Sequence, residues 1–395
     1  MDPFQSCSDQ ASSIPFEPEG VDRSNAQEAA HALRPLSDNK VTLSLVGSGM
    51  TFARPDGEVP SVWEEAIEQI TRGLGVEAHW VTDEAPPSLI ERARRAVGAG
   101  SDAKVPIFAP WHAVSPTAFQ LGQHCEAAAG AKWVASYLFD FGPACSAKGG
   151  SVDLALMSPC PQVCVSEDAQ IGQLPRLSVL AKMMRAAASE GRTNLAVVVR
   201  ESARATIAAR LLGFEPSLNE TSFDVEFVSI EEAIVDIQRC AFDWDAVIAM
   251  PDLRGILFAM LAQHFDVPGP WPMLWFDRGL RYVTCESFTG ASQPGHFDAT
   301  VLIQALALVA KQSGHHYTAK RLYESWAALR DNGVVTATRS SSALYVNEID
   351  EAALISRATH DRYSDTRRLP SWKGLAWGQS STCKAERPVH LSLVT

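Results

Sequence analysis

The stretch Trp244–Leu261, WDAVIAMPDLRGILFAML, decides the fold of this chain. Its apolar run Ala246–Ala249 has the length of a buried strand, Pro251 breaks the run, and Leu253–Gln263 has the length of a helix. A buried strand, a turn and a helix in succession form the repeating unit of a parallel sheet. The predicted helix contains no Asp or Glu, so this unit offers few groups that could bind a cation.

The same alternation runs through most of the chain and predicts an α/β fold whose parallel sheet is covered on both faces. The predicted strands are Val41–Val46, Ala78–Val81, Val105–Phe108, Trp133–Phe139, Val152–Met157, Asn194–Val199, Val225–Val228 and Ala246–Ala249. The predicted helices are Val62–Leu74, Pro87–Val97, Ala118–Ala129, Leu177–Ser189, Ser202–Leu212, Ile230–Cys240, Leu253–Gln263, Phe297–Lys311, Tyr317–Arg330 and Glu348–Thr359.

Composition narrows the class of protein. A chain of 395 residues with 46% hydrophobic residues can bury a large core, and its length suggests about two domains. The net charge of −12 and the lack of a basic segment argue against nucleic-acid binding. No run reaches the roughly 18 apolar residues of a membrane span, and we see no secretory signal. The polar residues 1–38 are predicted to form a disordered tail, and the scattered cysteines favour a cytoplasmic protein with reduced thiols.

Five phrases, in this order along the chain, resemble the isocitrate/isopropylmalate dehydrogenase family. They are VDLALMSP (Val152–Pro159), NLAVVVRES (Asn194–Ser202), WDAVIAMPDLRGILFAMLA (Trp244–Ala262), CESFTGAS (Cys285–Ser292) and HFDATVLIQALALVA (His296–Ala310). Their family counterparts are a strand ending in Val-Arg-Glu, the strand that ends in the catalytic Lys, the metal-binding unit with its Pro-Asn-Leu-Phe-Gly-Asp turn, a Glu-Pro-Val-His-Gly-Ser-Ala phrase and the Asn-Pro-Thr-Ala helix. The resemblance covers roughly residues 41–332.

The resemblance implies a homodimer whose subunits have two domains. The large α/β domain would comprise residues 39–125 and 285–360, the small dimer-forming α/β domain residues 126–284, and a C-terminal tail residues 361–395. It also implies oxidation of a 2-hydroxy acid that carries a second carboxylate, with hydride transfer to NAD or NADP and decarboxylation at Mg²⁺ or Mn²⁺. Such chemistry needs carboxylates for the metal, Arg for the substrate, and Lys and Tyr for proton transfer.

The positions that correspond to the metal carboxylates carry other residues. The two helical Asp residues of the family fall on Ile256 and Met260, or on Ala259 with a one-residue gap, and the Asp of the partner subunit falls on Ser229. We therefore predict that the chain has no metal ligands. An active enzyme with a displaced alignment would need carboxylates from Glu231, Glu232, Asp243 and Asp252.

Arg200 is the predicted catalytic and substrate-binding residue. It takes the place of the family's catalytic Lys at the carboxyl end of a predicted strand, where parallel sheets bind ligands. Its guanidinium keeps the positive charge but cannot act as a base near neutral pH. Ser158, in place of a family Arg, and His296 complete the predicted substrate-binding set. The alternative is that Arg200 forms a structural ion pair with Glu201 or Glu232.

Four residues are the predicted cofactor contacts. Gly47 and Gly49 follow the predicted strand Val41–Val46 and would cradle a phosphate, or form only a tight strand exit. Gly290 and Asp298 lie where the family wraps the adenine, although the loop between them is several residues shorter here and Asp298 replaces an Asn. We predict no bound cofactor, and NAD(P) with Mg or Mn only if the chain is an active dehydrogenase.

Cysteine and tryptophan residues have competing interpretations. Cys160 and Cys164 do not have CxxC spacing, so two core or interface positions on one strand face are favoured over a metal site. Trp271 and Trp275 belong to an apolar insertion, interpreted as a buried plug of the former active site or as a partner-binding surface. Trp372, in the C-terminal tail, is predicted to dock on the neighbouring subunit.

The loss of metal, substrate and adenine groups together makes a pseudoenzyme the leading hypothesis. Such a protein would lack metal-dependent oxidative decarboxylation and act as a regulatory or ligand-binding subunit. One alternative is an enzyme with altered chemistry on a small organic acid held by Arg200. Another is an active NAD-dependent 2-hydroxy-acid dehydrogenase with a displaced metal site. The predicted partners are a second copy of the chain and a small organic acid or a protein, but neither a membrane nor nucleic acid.

Overall fold

The computed structural model describes residues 49–55, 59–81, 105–122, 130–140, 152–168, 172–214, 224–239, 241–265, 270–288, 297–339, 347–360 and 372–373. All of them belong to the compact unit formed by residues 41–395. The predicted strand Val41–Val46 and the predicted helix Pro87–Val97 lie outside the described residues.

Strands and helices alternate along the unit, as the apolar pattern predicts. The strands are β1 (Gly49–Ala53), β2 (Glu77–Val81), β3 (Ile107–Val114), β4 (Trp133–Asp140), β5 (Val152–Pro159), β6 (Cys164–Asp168), β7 (Gly172–Pro175), β8 (Asn194–Val199), β9 (Asp224–Ser229), β10 (Ala246–Ala249), β11 (Trp271–Phe276), β12 (Leu280–Glu286), β13 (Val334–Val335) and β14 (Asn347–Glu348). The helices are α1 (Ser61–Gly73), α2 (Pro116–Gln120), α3 (Leu177–Ser189), α4 (Glu201–Phe214), α5 (Ile230–Arg239), α6 (Arg254–Phe265), α7 (Ala299–Gln312), α8 (His316–Asp331) and α9 (Glu351–His360).

Ten strands form one sheet in the order β2-β1-β3-β12-β11-β4-β5-β10-β8-β9. Strands β2, β1, β3 and β12 run parallel to one another, and so do β5, β10, β8 and β9. The pairs β12–β11, β11–β4 and β4–β5 between these blocks are antiparallel, so the two parallel blocks run in opposite directions. An α/β fold with a mostly parallel sheet is therefore confirmed. Strands of both predicted domains share this sheet, and the domain boundaries stay a prediction.

The centre of the sheet differs from the expectation. The segment that contains Trp271 and Trp275 is not a plug but the strand β11, which pairs with β12 on one side and β4 on the other. A proline inside a strand removes a ladder hydrogen bond, so Pro272 disfavours a central strand. All six side chains of β11 are apolar and buried. Burying them contributes about 1.5–3 kcal/mol for each large side chain, which outweighs the roughly 1 kcal/mol of a lost ladder hydrogen bond.

Most other element boundaries follow the sequence pattern closely. Helix α3 and strands β8 and β10 have the predicted bounds. Helix α7 is mostly apolar, and its residues Ala299–Lys311 are buried on every face, as expected for such a helix. Helix α2 ends at Gln120, earlier than predicted, although residues 123–129 lie outside the described part. Among the helices that the structure describes, none combines the length and the apolar character needed to cross a bilayer.

Candidate functional site

The carboxyl ends of β5, β10 and β8 lie side by side, at the edge where parallel sheets bind ligands. Arg200 follows β8, and its Nε and Nη2 donate to Oδ2 of Asp252, in the turn after β10, at 3.0 and 2.6 Å. The expected alternative partners Glu201 and Glu232 contact Arg204 instead. The structure therefore places Arg200 at the predicted edge, but Asp252 is its ion-pair partner.

A second arginine, Arg254, is completely buried at the start of α6. Its Nε and Nη2 donate to the two carboxylate oxygens of Glu286 at 2.8 and 2.6 Å. Its Nη1 donates to Ser158 Oγ at 2.9 Å and to the Leu156 carbonyl at 3.2 Å, and Nη2 also donates to Ser136 Oγ at 2.7 Å. All five N–H groups of the guanidinium therefore have acceptors.

The Arg254–Glu286 pair forms a closed network inside the sheet. Both side chains are 0% exposed, and the Ser136 hydroxyl donates to Glu286 Oε2 at 2.5 Å. Neither residue belongs to the site predicted from the sequence. The available signal was an Arg in an otherwise apolar helix and a Glu that ends an apolar strand, because two charged residues in such surroundings are buried only as a pair.

Ser158 lies at the carboxyl end of β5, as predicted, but it faces protein rather than a cleft. Its side chain is buried, and its hydroxyl accepts the hydrogen bond from Arg254. The substrate-binding role of Ser158 stays a prediction.

The residues at the metal positions do not fit a divalent cation. Ile256 is 49% exposed and apolar, and the half-buried Met260 lies one helical turn further along α6. Ser229 and Glu232 form a capping box at the start of α5, each side chain binding the other's backbone N–H at 3.1 Å. Among the described residues, no three His, Cys, Asp or Glu side chains are grouped so that they could hold a metal.

The carboxylates of Asp243 and Asp252, which a displaced metal site would need, lie far apart. Asp243 binds the Asn194 side chain at 2.8 Å, at the amino end of β8, whereas Asp252 binds Arg200 at its carboxyl end. Six residues of extended chain at about 3.3 Å each separate these ends by roughly 20 Å. No single cation can bind both carboxylates.

The predicted cofactor residues have different surroundings from those expected. Gly49 begins β1 rather than lying in a turn, and its role as a cofactor contact stays a prediction. Asp298 is buried, caps α7 through the Val301 N–H at 3.0 Å and accepts from Arg339 Nε at 3.0 Å. Its carboxylate is therefore occupied by protein groups. Gly47, Gly290 and His296 lie outside the described residues.

The two neighbouring cysteines do not share a strand. The turn Pro161–Val163 separates buried Cys160 from half-buried Cys164, whose thiol donates weakly to the Cys160 carbonyl at 3.6 Å. Burial raises the pKa of each thiol to about 12. Both are therefore neutral thiols rather than thiolate ligands or nucleophiles at neutral pH.

His112, on strand β3, is a further polar group, and the sequence does not single it out. Its Nδ1 lies 2.8 Å from the Tyr282 hydroxyl, and burial lowers its pKa. The ring is therefore neutral at neutral pH and can accept a proton. No spacing in the sequence reveals this pair, because the two residues lie on different strands, β3 and β12.

A second buried charge cluster lies at the opposite, amino end of β5, β8 and β10. Arg192 contacts Glu190 at 3.1 Å and Asp153 at 3.3 Å, and Lys311 contacts Glu190 at 3.1 Å. Burial opposes ionisation of Glu190, but Lys311 and Arg192 outweigh it and lower the pKa of Glu190. For Asp153 burial prevails over the attraction of Arg192 and raises its pKa to about 6.

Comparisons with known proteins give a fold and no family. No family model and no curated protein sequence matches this chain. The solved TT0538 protein of Thermus thermophilus is similar over 87% of this chain and 72% of its own, with a TM-score of 0.51 and 11% identity. Isocitrate dehydrogenase from Methylococcus capsulatus aligns over 79% of this chain and 99% of its own, with a TM-score of 0.48 and 15% identity.

These values limit what the similarity implies. At 11% identity the first alignment shows a common fold but not a common activity. The second alignment is too loose to support an argument by itself. The structural comparison therefore supports the α/β architecture alone.

Proposed function

We propose that this chain is a divergent isocitrate/isopropylmalate dehydrogenase-like pseudoenzyme, a regulatory or ligand-binding subunit without metal-dependent oxidative decarboxylation. The observation that carries the proposal is the closed network of Arg254 and Glu286. It lies beside helix α6, where the family phrases would supply metal carboxylates. The network stabilises the packing of α6 on the sheet, and its charged groups bind one another rather than a substrate.

The charges around the amino end of α6 argue against a bound divalent cation. Glu286 and Asp252 each bind a guanidinium, so neither carboxylate is available without breaking an ion pair. The amino end of α6 adds the partial positive charge of a helix N-terminus. A divalent ion here would face arginine charges through a medium of low dielectric constant, where repulsion is stronger than in water.

The proposal is tested by titration calorimetry and activity assays on the full chain. We expect no binding heat with MgCl₂ or MnCl₂, and no NADH or NADPH from isocitrate, isopropylmalate or tartrate with either metal. An active dehydrogenase run in parallel shows that the assay works. Metal-dependent NADH or NADPH production from any of the three acids would overturn the proposal.

One observation favours the alternative of a protein that binds or transforms a small organic acid. The Arg200 side chain is 47% exposed and directs two N–H groups to a single Asp252 oxygen. Its Nη1 has no hydrogen-bond partner among the described residues, so it can donate to a ligand carboxylate. Arg binds carboxylates in a two-pronged geometry.

The variant Arg200→Ala tests this alternative. If a small acid binds without metal, we expect the substitution to weaken binding at least tenfold, because about 1.4 kcal/mol or more of charge-assisted hydrogen bonding is lost. Calorimetry with isocitrate, isopropylmalate and tartrate measures the effect. Arg72→Ala, at a mostly exposed position of α1, is the matched control. Equal affinities of the two variants would remove Arg200 from the binding site.

We also propose that the chain is a homodimer. Strands β6 and β7 form a separate two-stranded sheet. An isolated pair of strands is marginally stable and leaves open edges, which a second copy can cover. Val165 on β6 is 54% exposed and Ile256 on α6 is 49% exposed. Apolar side chains in these positions are suited to an interface.

The variant Ile256→Glu tests the dimer. A carboxylate placed in an apolar interface costs several kcal/mol unless it is paired. We therefore expect dissociation to monomers at concentrations where the unmodified chain is dimeric, measured by sedimentation. Val62→Glu on α1, where the valine is 44% exposed, is the control and should leave the mass unchanged. A monomeric parent chain, or a dimeric Ile256→Glu variant, contradicts this proposal.

A further inference from the structure

Without residues 372–373, the described part of the charge cluster at the amino end of β5, β8 and β10 contains three carboxylates and two cations. Its carboxylates are Asp153, Glu190 and Asp245, and its cations are Arg192 and Lys311. All five side chains are 8% exposed or less. An uncompensated buried carboxylate is costly, so this imbalance needs a further positive group.

Lys373, far along the chain, supplies this group. Its Nζ lies 3.1 Å from Asp245 Oδ2, and its backbone N–H donates to Asp153 Oδ2 at 2.7 Å. The preceding Trp372 is 0% exposed and packs against Phe139 and Tyr323, with ring centroids 5.6 and 5.2 Å apart. The expectation that Trp372 docks on a neighbouring subunit is therefore wrong, because it docks on its own chain.

Gly191 leaves space for this two-residue segment. Its φ of +77° favours glycine, and a Cβ atom at this position would lie 2.6 Å from the Lys373 carbonyl oxygen. Any other residue at position 191 would collide with the docked backbone. The turn after α3 thus fits the shape of the segment as well as its charge.

We propose that Trp372 and Lys373 form a detachable strap, which completes the buried cluster and can leave while the ten-stranded sheet stays folded. The strap adds no strand and no helix to the body, and Arg192 and Lys311 still hold Glu190 when it leaves. The closed state is also imperfect. Asp153 Oδ1 and Arg192 Nη2 are buried without a hydrogen-bond partner in the described structure, although Asp153 keeps its ion pair.

The docked strap compensates the buried Asp153 carboxylate only in part. Releasing the strap therefore costs less free energy than breaking a fully compensated ion pair would. Burial raises the pKa of Asp153 to about 6 even with Arg192 and Lys373 beside it, which shows that the docked strap only partly offsets desolvation. The titratable groups that interact with Asp153 are Arg192, Glu190, Lys373, Lys311, Tyr137 and Tyr323. The strap binds the amino ends of β5 and β10, whereas the candidate site lies at the carboxyl ends of the same strands.

Hydrogen exchange of the full chain, followed by mass spectrometry, tests the strap. In Lys373→Ala we expect amides of residues 372–373 and 190–195 to exchange at least tenfold faster, with α7 unchanged. Thr193 and Asn194 are included because their backbone N–H groups bind Asp245. Lys320→Ala, at an exposed pair on α8, is the matched control, and Lys373→Arg should restore slow exchange.

Trp372→Ala gives a second test with a stronger perturbation. We expect the same local pattern with larger rates and a retained helical circular dichroism signal. Unchanged exchange at residues 190–195 in both variants would show that the segment does not complete the cluster. An equal rise in α7 would show that Trp372 and Lys373 belong to the cooperative core and do not detach.

Discussion

Replacing Arg254 with Met should destabilise the protein by about 3–5 kcal/mol, because it leaves the Glu286 carboxylate buried without its partner. Ser136 and Ser158 also lose the guanidinium that they bind. Methionine fills much of the volume, so the loss reports the charge more than a cavity. Urea unfolding, followed by circular dichroism, measures the change.

Two further variants separate the ion pair from packing. Arg254→Met combined with Glu286→Met should recover at least half of the lost stability, since paired replacement of a buried ion pair by apolar residues is often tolerated. Arg200→Met, which removes the exposed pair with Asp252, should cost no more than about 1 kcal/mol. If Arg254→Met costs no more than Arg200→Met, the buried network does not stabilise the fold.

Replacing Arg192 with Met should cost a similar amount, about 3–5 kcal/mol at pH 8. The guanidinium holds Glu190 and Asp153 and donates to the Asp245 carbonyl at 2.5 Å, all in a buried site. Its loss leaves Asp153 with only the strap residue Lys373 for compensation. Thermal or urea unfolding against Arg72→Met, at a mostly exposed position, measures the specific effect.

The cost of Arg192→Met should fall on acidification. The folded-state pKa of Asp153 is raised from 3.8 to about 6, so its contribution to stability is present below the ordinary pKa and is lost as pH rises through about 6. Removing Arg192 raises the pKa of Asp153 further. At pH 5 the carboxyl group is then neutral, and the variant should lie closer to the parent chain than at pH 8. A penalty that is equal at both pH values contradicts this account.

The sequence was sufficient for elements in which one local pattern dominates. The continuous apolar runs of β8 and β10 and the apolar–polar rhythm of α3 predicted their bounds. It was insufficient for β11, because the prolines around Trp271 disfavour a central strand. That segment is a strand because it pairs with β4 and β12, and β4 lies more than a hundred residues earlier in the chain.

The candidate site shows the same division. The position of Arg200 at the carboxyl end of a strand followed from the strand pattern, whereas its partner Asp252 did not, since several acidic residues had equal claims. Arg254 and Glu286 were missed because each is a single charged residue in an apolar segment. Their 32-residue separation carries no periodic signal, and only the packing of α6 on the sheet brings them together.

The amino-acid sequence by itself determined the α/β class, the order of most strands and helices, and the lack of Asp and Glu in helix α6. These follow from local periodicity and residue chemistry. The tertiary structure alone decided which charges meet: Arg200 with Asp252, Arg254 with Glu286, and Lys373 with Asp245. The reason is physical, since burial makes an unpaired charge costly but does not specify its partner, and the partner is set by strand order and register across the whole sheet.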